Sequence, residues 1–209
     1  MRLSMMELVF MNSVTKGPEP LNIQLKLPIL TLKARVIEDT VKNLQDSNIL
    51  DSDRNLTKAG MIPMRLFELY RNAGEHFIVN QLRIARTSDG IWIVLVPVGD
   101  AFEIMALEPV LGMSLLVSTF PFLRQGQDRN AAACLSDQLT DTQMKELEKS
   151  VKQEFAIKKF ANRKLTSEYL YYFTGEQCFL IDSKQQSTQI FPRDARVQIM
   201  EILGIKGGL

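Results

Sequence analysis

The side chains that most readily do chemistry are few here, and they lie far apart. The 209-residue chain has one histidine, His76, and two cysteines, Cys134 and Cys178. Nucleophilic catalysis needs a base beside the nucleophile. His76 falls at the mouth of a strand, where an imidazole with one ring nitrogen hydrogen-bonded is at home. Cys134 sits between Ala133 and Leu135, and Cys178 precedes Phe179. Those are settings for buried thiols in a reducing compartment, and their spacing suggests no disulfide framework. Two cysteines and one histidine cannot supply the usual zinc-ligand spacing. No G-x-S-x-G, G-x-x-x-x-G-K-[ST] or G-x-G-x-x-G occurs, so nothing marks a nucleophile elbow or a phosphate-binding loop.

The carboxylate clusters read as solvated. Asp51 and Asp53 form D-x-D, but no Gly or Glu follows at calcium-loop positions. Glu146 and Glu148 belong on the outer face of an amphipathic helix. The expectation is a binding protein rather than an enzyme, with no catalytic residue, cofactor or metal.

One basic cluster stands out: Lys158, Lys159, Arg163 and Lys164, with Phe155 and Phe160 close by. Basic residues with interleaved aromatics can bind single-stranded nucleic acid, so a nucleic-acid-binding regulator using this segment is the alternative function. The same cations also suit the C-terminal end of a helix, whose dipole they complement, and the sequence reading places them there. The whole chain has 25 basic and 24 acidic residues, a formal net charge of +1. That balance creates no general attraction for nucleic acid or acidic membranes.

The elements that must position these groups follow from capping and periodicity. Ser4 and Glu7 form a capping box ahead of a helix over residues 5–14. Lys16-Gly-Pro-Glu-Pro20 ends it. Residues 22–27 alternate as a short extended segment, and Val36, Ile37, Val41 and Leu44 give helical spacing over 31–44. Pro63 suits the first position of a helix with Leu66, Phe67 and Tyr70 on one face. Residues 77–86 alternate as a strand. Asp89-Gly90 turns the chain, and residues 91–96 form a β-branched buried strand in which Trp92 is core. Pro97 to Ala101 interrupts it, 102–107 is a third strand, and a helix runs from 108 to about 123. A second capping box at Thr140 and Gln143 opens a helix over 141–157 with a stripe of Met144, Leu147, Val151 and Phe155. Strands follow at 167–173, 177–181 and 187–191. Pro192 opens a last helix, closed by Gly204.

The order strand, turn, strand, loop, strand, proline, helix thus occurs twice, over 77–123 and 167–203, each time behind a helix. The expected fold class is α+β: an antiparallel sheet formed by two pseudo-symmetric strand–strand–strand–helix units with additional packing helices. The expected organisation is one domain over 1–209, with similar halves at 61–123 and 141–209 and an N-terminal helix plus linker at 1–60. The most apolar tract, 110–123, contains Gly112 and Pro121 and is shorter than the roughly 20 residues a bilayer requires. The first ten residues contain no signal-peptide h-region. A soluble, cytoplasmic protein with no membrane span is expected.

This element order resembles the EspG-type chaperones of type VII secretion and is similar to the EsaE-like proteins of Firmicutes. The residues that carry the likeness are Leu56-Thr-Lys-Ala-Gly60 ahead of a helix, the 77–86 segment, Asp89-Gly90 and the 91–96 strand. In the second half they are Tyr169 to Phe173, Gly175, Phe179-Leu-Ile181 and the helix that begins at Phe191-Pro192. The resemblance implies a cytosolic chaperone or adaptor, with no enzymatic role, that keeps small helical secretion substrates of the WXG or PE/PPE type soluble. It also implies delivery to the secretion ATPase. Such proteins grip helical hairpins at the sheet and adjacent helices. One contact region in the family corresponds to Pro97, Val98, Gly99, Asp100 and Ala101.

Overall fold

A computed structural model describes residues 1–21, 23, 33–124, 136–175, 177–182 and 186–205, with the side chains of 33, 34 and 136–138 left aside. The fold is mixed α+β and divides into two compact units. Unit 1 comprises residues 1–76 and 81–107, and unit 2 comprises 77–80 and 108–209.

Unit 1 begins with a short strand that the sequence reading lacks, β1 (Arg2–Ser4). Helix α1 (Met5–Val14) follows, with the expected capping box fully formed: the Glu7 amide donates to Ser4 Oγ at 3.2 Å and the Ser4 amide to Glu7 Oε2 at 2.5 Å. The extended segment expected over 22–27 lies almost wholly outside the described residues. Helix α2 is Lys33–Asp46 and helix α3 is Lys58–Asn72. Helix α3 starts five residues earlier than Pro63. Its N-cap is Thr57, whose hydroxyl accepts from the Gly60 amide at 2.9 Å, and Pro63 lies buried inside the helix.

The expected single strand over 77–86 is two strands, β2 (Glu75–Val79) and β3 (Leu82–Arg86). Asn80, at φ 51°, turns the chain between them; Asn tolerates the left-handed region better than most residues. The Thr87-to-Gly90 turn is present, with the Gly90 amide donating to the Thr87 carbonyl at 3.0 Å. Strand β4 (Trp92–Val98) does not break at Pro97. It continues to Val98 and pairs with β5 (Ala101–Leu107) along its full length. Pro97 is tolerated because the register of β3 on β4 extends only from Arg86↔Trp92 to Arg83↔Leu95.

The unit-1 strands run antiparallel in the order β1, β5, β4, β3. Their alternation points Ala85, Ile93, Leu95, Phe102 and Ile104 to one face. There they meet Leu8 and Met11 of α1, Leu44 of α2, and Phe67 and Tyr70 of α3. Each large side chain buried in this way contributes about 1.5–3 kcal/mol. Trp92 is fully buried, as expected of a core residue.

In unit 2, helix α4 (Pro109–Thr119) ends short of the expected 123, because Pro121 opens a 3₁₀ turn at Pro121–Arg124. Strand β6 is Ser136–Gln138 and helix α5 is Asp141–Ser150. The capping box at Thr140 and Gln143 is formed, but the helix stops at Ser150 instead of 157. Of the rest of its expected stripe, Val151 is the C-cap and Phe155 lies fully buried in strand β7 (Gln153–Ala161). Strand β7 pairs with β8 (Lys164–Phe173) through a two-residue turn, Asn162 and Arg163, both at positive φ. This is hairpin-turn geometry without the Asn-Gly or Asp-Gly signature. Strands β9 (Cys178–Ile181) and β10 (Gln186–Ile190) continue the antiparallel order β7, β8, β9, β10, β6. Helix α6 (Pro192–Ile202) closes with Gly204 at φ 70°. The Gly204 amide donates to Glu201 and the Ile205 amide to Met200, the bond pattern of a Schellman motif.

The element order helix, four strands, proline-opened helix therefore occurs twice: α3 to α4, and α5 to α6. Each set has one strand more than the sequence reading expects, because that reading merges β2 with β3 and assigns β7 to a helix. No described helix is long and apolar enough to cross a membrane.

Candidate functional site

Unit 1 carries an apolar recess of about 260 Å³. One wall is α1, with Phe10, Met11 and Val14. The floor is Leu44 of α2 together with Ile49 and Leu50. Met64 of α3 and Leu56 form the far side, and Arg54 stands at the rim. Val14 is 55% exposed and Leu56 41%, so the lip is as apolar as the interior.

The walls are held by specific bonds. The chain leaves α1 through Thr15 to Pro18, a segment latched onto α3 by the buried Arg71. Its Nε donates to the Pro18 carbonyl at 2.6 Å and its Nη2 to the Gly17 carbonyl at 2.6 Å, while Nη1 donates to Thr15 Oγ1. The guanidinium lies over the Phe67 ring, 5.6 Å from its centroid. Tyr70 Oη reaches the Leu21 carbonyl at 3.2 Å. A buried charge surrounded by hydrogen-bond acceptors in this way is retained only while each acceptor stays in place.

The 47–56 loop is equally constrained. The Thr57 amide donates to the Ile49 carbonyl at 3.0 Å, and Leu50 bridges Leu56 across the loop. Asp51 accepts from the amides of Asp53 at 2.9 Å and Asn55 at 2.8 Å, so the D-x-D is the solvated turn its sequence suggests. Helix α3 approaches the loop so closely that a Cβ on Gly60 would stand 2.2 Å from the Ile49 carbonyl oxygen. Between these fixed points Arg54 sits at φ 65°. Among the described residues no acidic side chain pairs with it.

With no nucleophile or base among the described residues of its lining, the recess is suited to burying an apolar group, at roughly 25 cal/mol per Å² removed from water. The residues singled out from sequence lie elsewhere. Pro97 and Val98 end β4, Gly99 and Asp100 form a two-residue turn, and Ala101 opens β5. The turn is exposed, with Gly99 at φ 65°, and Arg2 Nη2 donates to the Val98 carbonyl at 3.2 Å. None of the five lines the recess.

His76 is buried rather than at a boundary. Its Nε2 is 2.7 Å from the Tyr70 carbonyl and its ring is edge-on to Tyr70. Cys178 is a buried free thiol, and burial pushes its pKa up to about 12; Cys134 lies outside the described residues. Burial, then the nearby Cys178 and Tyr169, raise the Tyr171 hydroxyl above its ordinary range. Glu146 and Glu148 are exposed on α5.

The basic cluster does not end a helix. Lys158 and Lys159 lie on β7, Arg163 in the left-handed turn, and Lys164 at the start of β8. Lys158 pairs with Glu168 at 2.8 Å, and Lys159 Nζ lies 5.7 Å from the Phe77 ring centroid. Among the described residues no group of three or more His, Cys, Asp and Glu is placed to hold a metal ion.

Sequence reasoning missed the recess. The available signal is the composition of α1, MMELVFMNSV, which is apolar on more sides than a core stripe of Leu8 and Met11 requires. No curated protein matches the chain. A family model does match residues 1–193, and the chain belongs to that family, described as Domain of unknown function (DUF5081).

Proposed function

We propose that this chain is a cytosolic, non-enzymatic chaperone or adaptor for type VII secretion, which holds small helical substrates of the WXG or PE/PPE type and passes them to the secretion ATPase. The observation that carries this reading is the apolar recess with its exposed lip at Val14 and Leu56. A water-exposed apolar concavity, with no nucleophile or base among the described residues of its lining, suits an amphipathic helix, which docks its apolar stripe into such a groove. The element order of the EspG-type proteins supplies the substrate class. In this reading the halves 61–123 and 141–209 are pseudo-symmetric copies, supported by the repeated order helix, four strands, proline-opened helix. The β4–β5 turn at Pro97, Val98, Gly99, Asp100 and Ala101 serves as a second contact region.

Co-expression with the small helical-hairpin proteins encoded beside this one, followed by size-exclusion chromatography, tests the proposal. Co-elution with at least one is expected; elution apart from all of them rejects it. Among the basic residues of the nucleic-acid alternative, Lys158 is already paired with Glu168. Retention on single-stranded DNA or RNA that falls steeply with salt would revive that alternative.

A further inference from the structure

Building on the adaptor reading, we infer that the unit-1 recess takes one bulky apolar side chain from a partner helix that also carries a carboxylate one turn away, and that this carboxylate pairs with Arg54. Three observations select this occupant. The cavity, at about 260 Å³, is smaller than typical small-molecule sites and fits a side chain. Among the described residues its lining offers apolar side chains with Arg54 as the one charged group. A strand or open loop laid across it would leave backbone amides facing an apolar wall, whereas a helix satisfies its own. The third observation is charge. Among the described residues Arg54 has no acidic partner, and it sits in a turn whose amides Asp51 holds. Helical residues one turn apart are about 5–6 Å from each other, so a carboxylate there reaches the rim when its neighbour fills the recess. Val14 and Leu56, both exposed, flank the seat and cover the rest of the helix stripe.

The test uses the full chain and labelled, alanine-rich helical peptides of about 20 residues, read by fluorescence anisotropy. One peptide carries Phe and Glu a turn apart, a second replaces Glu by Lys, and a third replaces Phe by Ala. The Phe/Glu peptide is expected to bind, and loss of the Phe to weaken binding about tenfold or more. Arg54→Glu, an exposed change that leaves the fold intact by thermal melting, should weaken the Phe/Glu peptide about fivefold and favour the Phe/Lys peptide instead. Equal binding of both charged peptides to native and Arg54→Glu protein overturns the inference. So does the absence of peptide binding, or saturable binding of decanoate alone. The same variants separate this inference from the adaptor reading. If a hairpin protein co-elutes with the native chain and equally with Arg54→Glu/Val14→Asp, the adaptor stands and the seat is wrong. If the charge swap works with peptides but no hairpin protein co-elutes, the seat stands and the adaptor reading falls.

Discussion

Helices α3 and α5 hold the same place in the two halves of the chain, each ahead of four strands, yet they use their sequences differently. Both are opened by a threonine N-cap, Thr57 and Thr140, and α5 has the fuller capping box. Helix α3 buries Gly60, Pro63, Phe67, Tyr70 and Arg71, whereas among its ten described residues α5 buries none. Capping fixes where a helix begins. What the helix does for stability depends on the face it presents to a sheet. Helix α3 contributes to a core and latches the exit of α1, while α5 passes its apolar load to the strand that follows it.

The largest effect expected from this contrast lies just beyond α5. Phe155 packs edge-on against Phe120, with ring centroids 4.6 Å apart, and also meets Phe122 and Tyr171. Phe155→Ala should cost about 3–5 kcal/mol in denaturant unfolding. Met144→Ala, on the stripe the sequence assigns to the same helix, should cost less than about 1 kcal/mol. Equal costs would break the comparison. Arg71→Met comes next, at about 2–4 kcal/mol, because it strands the carbonyls of Gly17 and Pro18. The shortfall should appear as a lower Tm and as faster proteolysis near residues 15–18. Gly60→Ala should cost about 1–3 kcal/mol, since the new methyl meets backbone that cannot step aside. Thr140→Ala should cost only about 1 kcal/mol, the value of a cap on a helix with no buried side chain.

An effect of similar size to the cap's is in pH. The folded-state pKa of Cys178 is raised, from 9.0 to about 12, by burial. Its contribution to stability is therefore complete below pH 9 and is lost as pH rises from there towards 12. The native protein should lose about 1 kcal/mol more than Cys178→Ala between pH 8 and 10, measured as the difference in the pH slopes of urea unfolding.

What could be read from sequence divides along the same contrast. Local chemistry was legible: the box at Ser4 and Glu7, the Asp51 turn, the Asp89-Gly90 turn and the Gly204 C-cap all depend on residues within a few positions of each other. The errors arose where distant partners decide. Val151 and Phe155 fit a helical stripe, but pairing of Phe155 with Tyr171 draws the chain from Gln153 onward into β7. Asn80 turns the chain with no glycine beside it, and Asn162-Arg163 does the same. The recess is built from three helices and a loop, and no local pattern announces it. Only the surplus apolar residues of α1 hint that it also lines a recess.

Strand β1 has a consequence for how unit 1 comes into being. Met1 exchanges backbone hydrogen bonds with Ile104, 103 positions along the chain, and Arg2 lies opposite Glu103. During synthesis, at about 5–20 residues per second, β1 must wait on the order of ten seconds before β5 exists. Until then the face of α1 that carries Leu8 and Met11 has no β5 beneath it, so apolar surface on β1 and α1 stays open to aggregation until β5 is made.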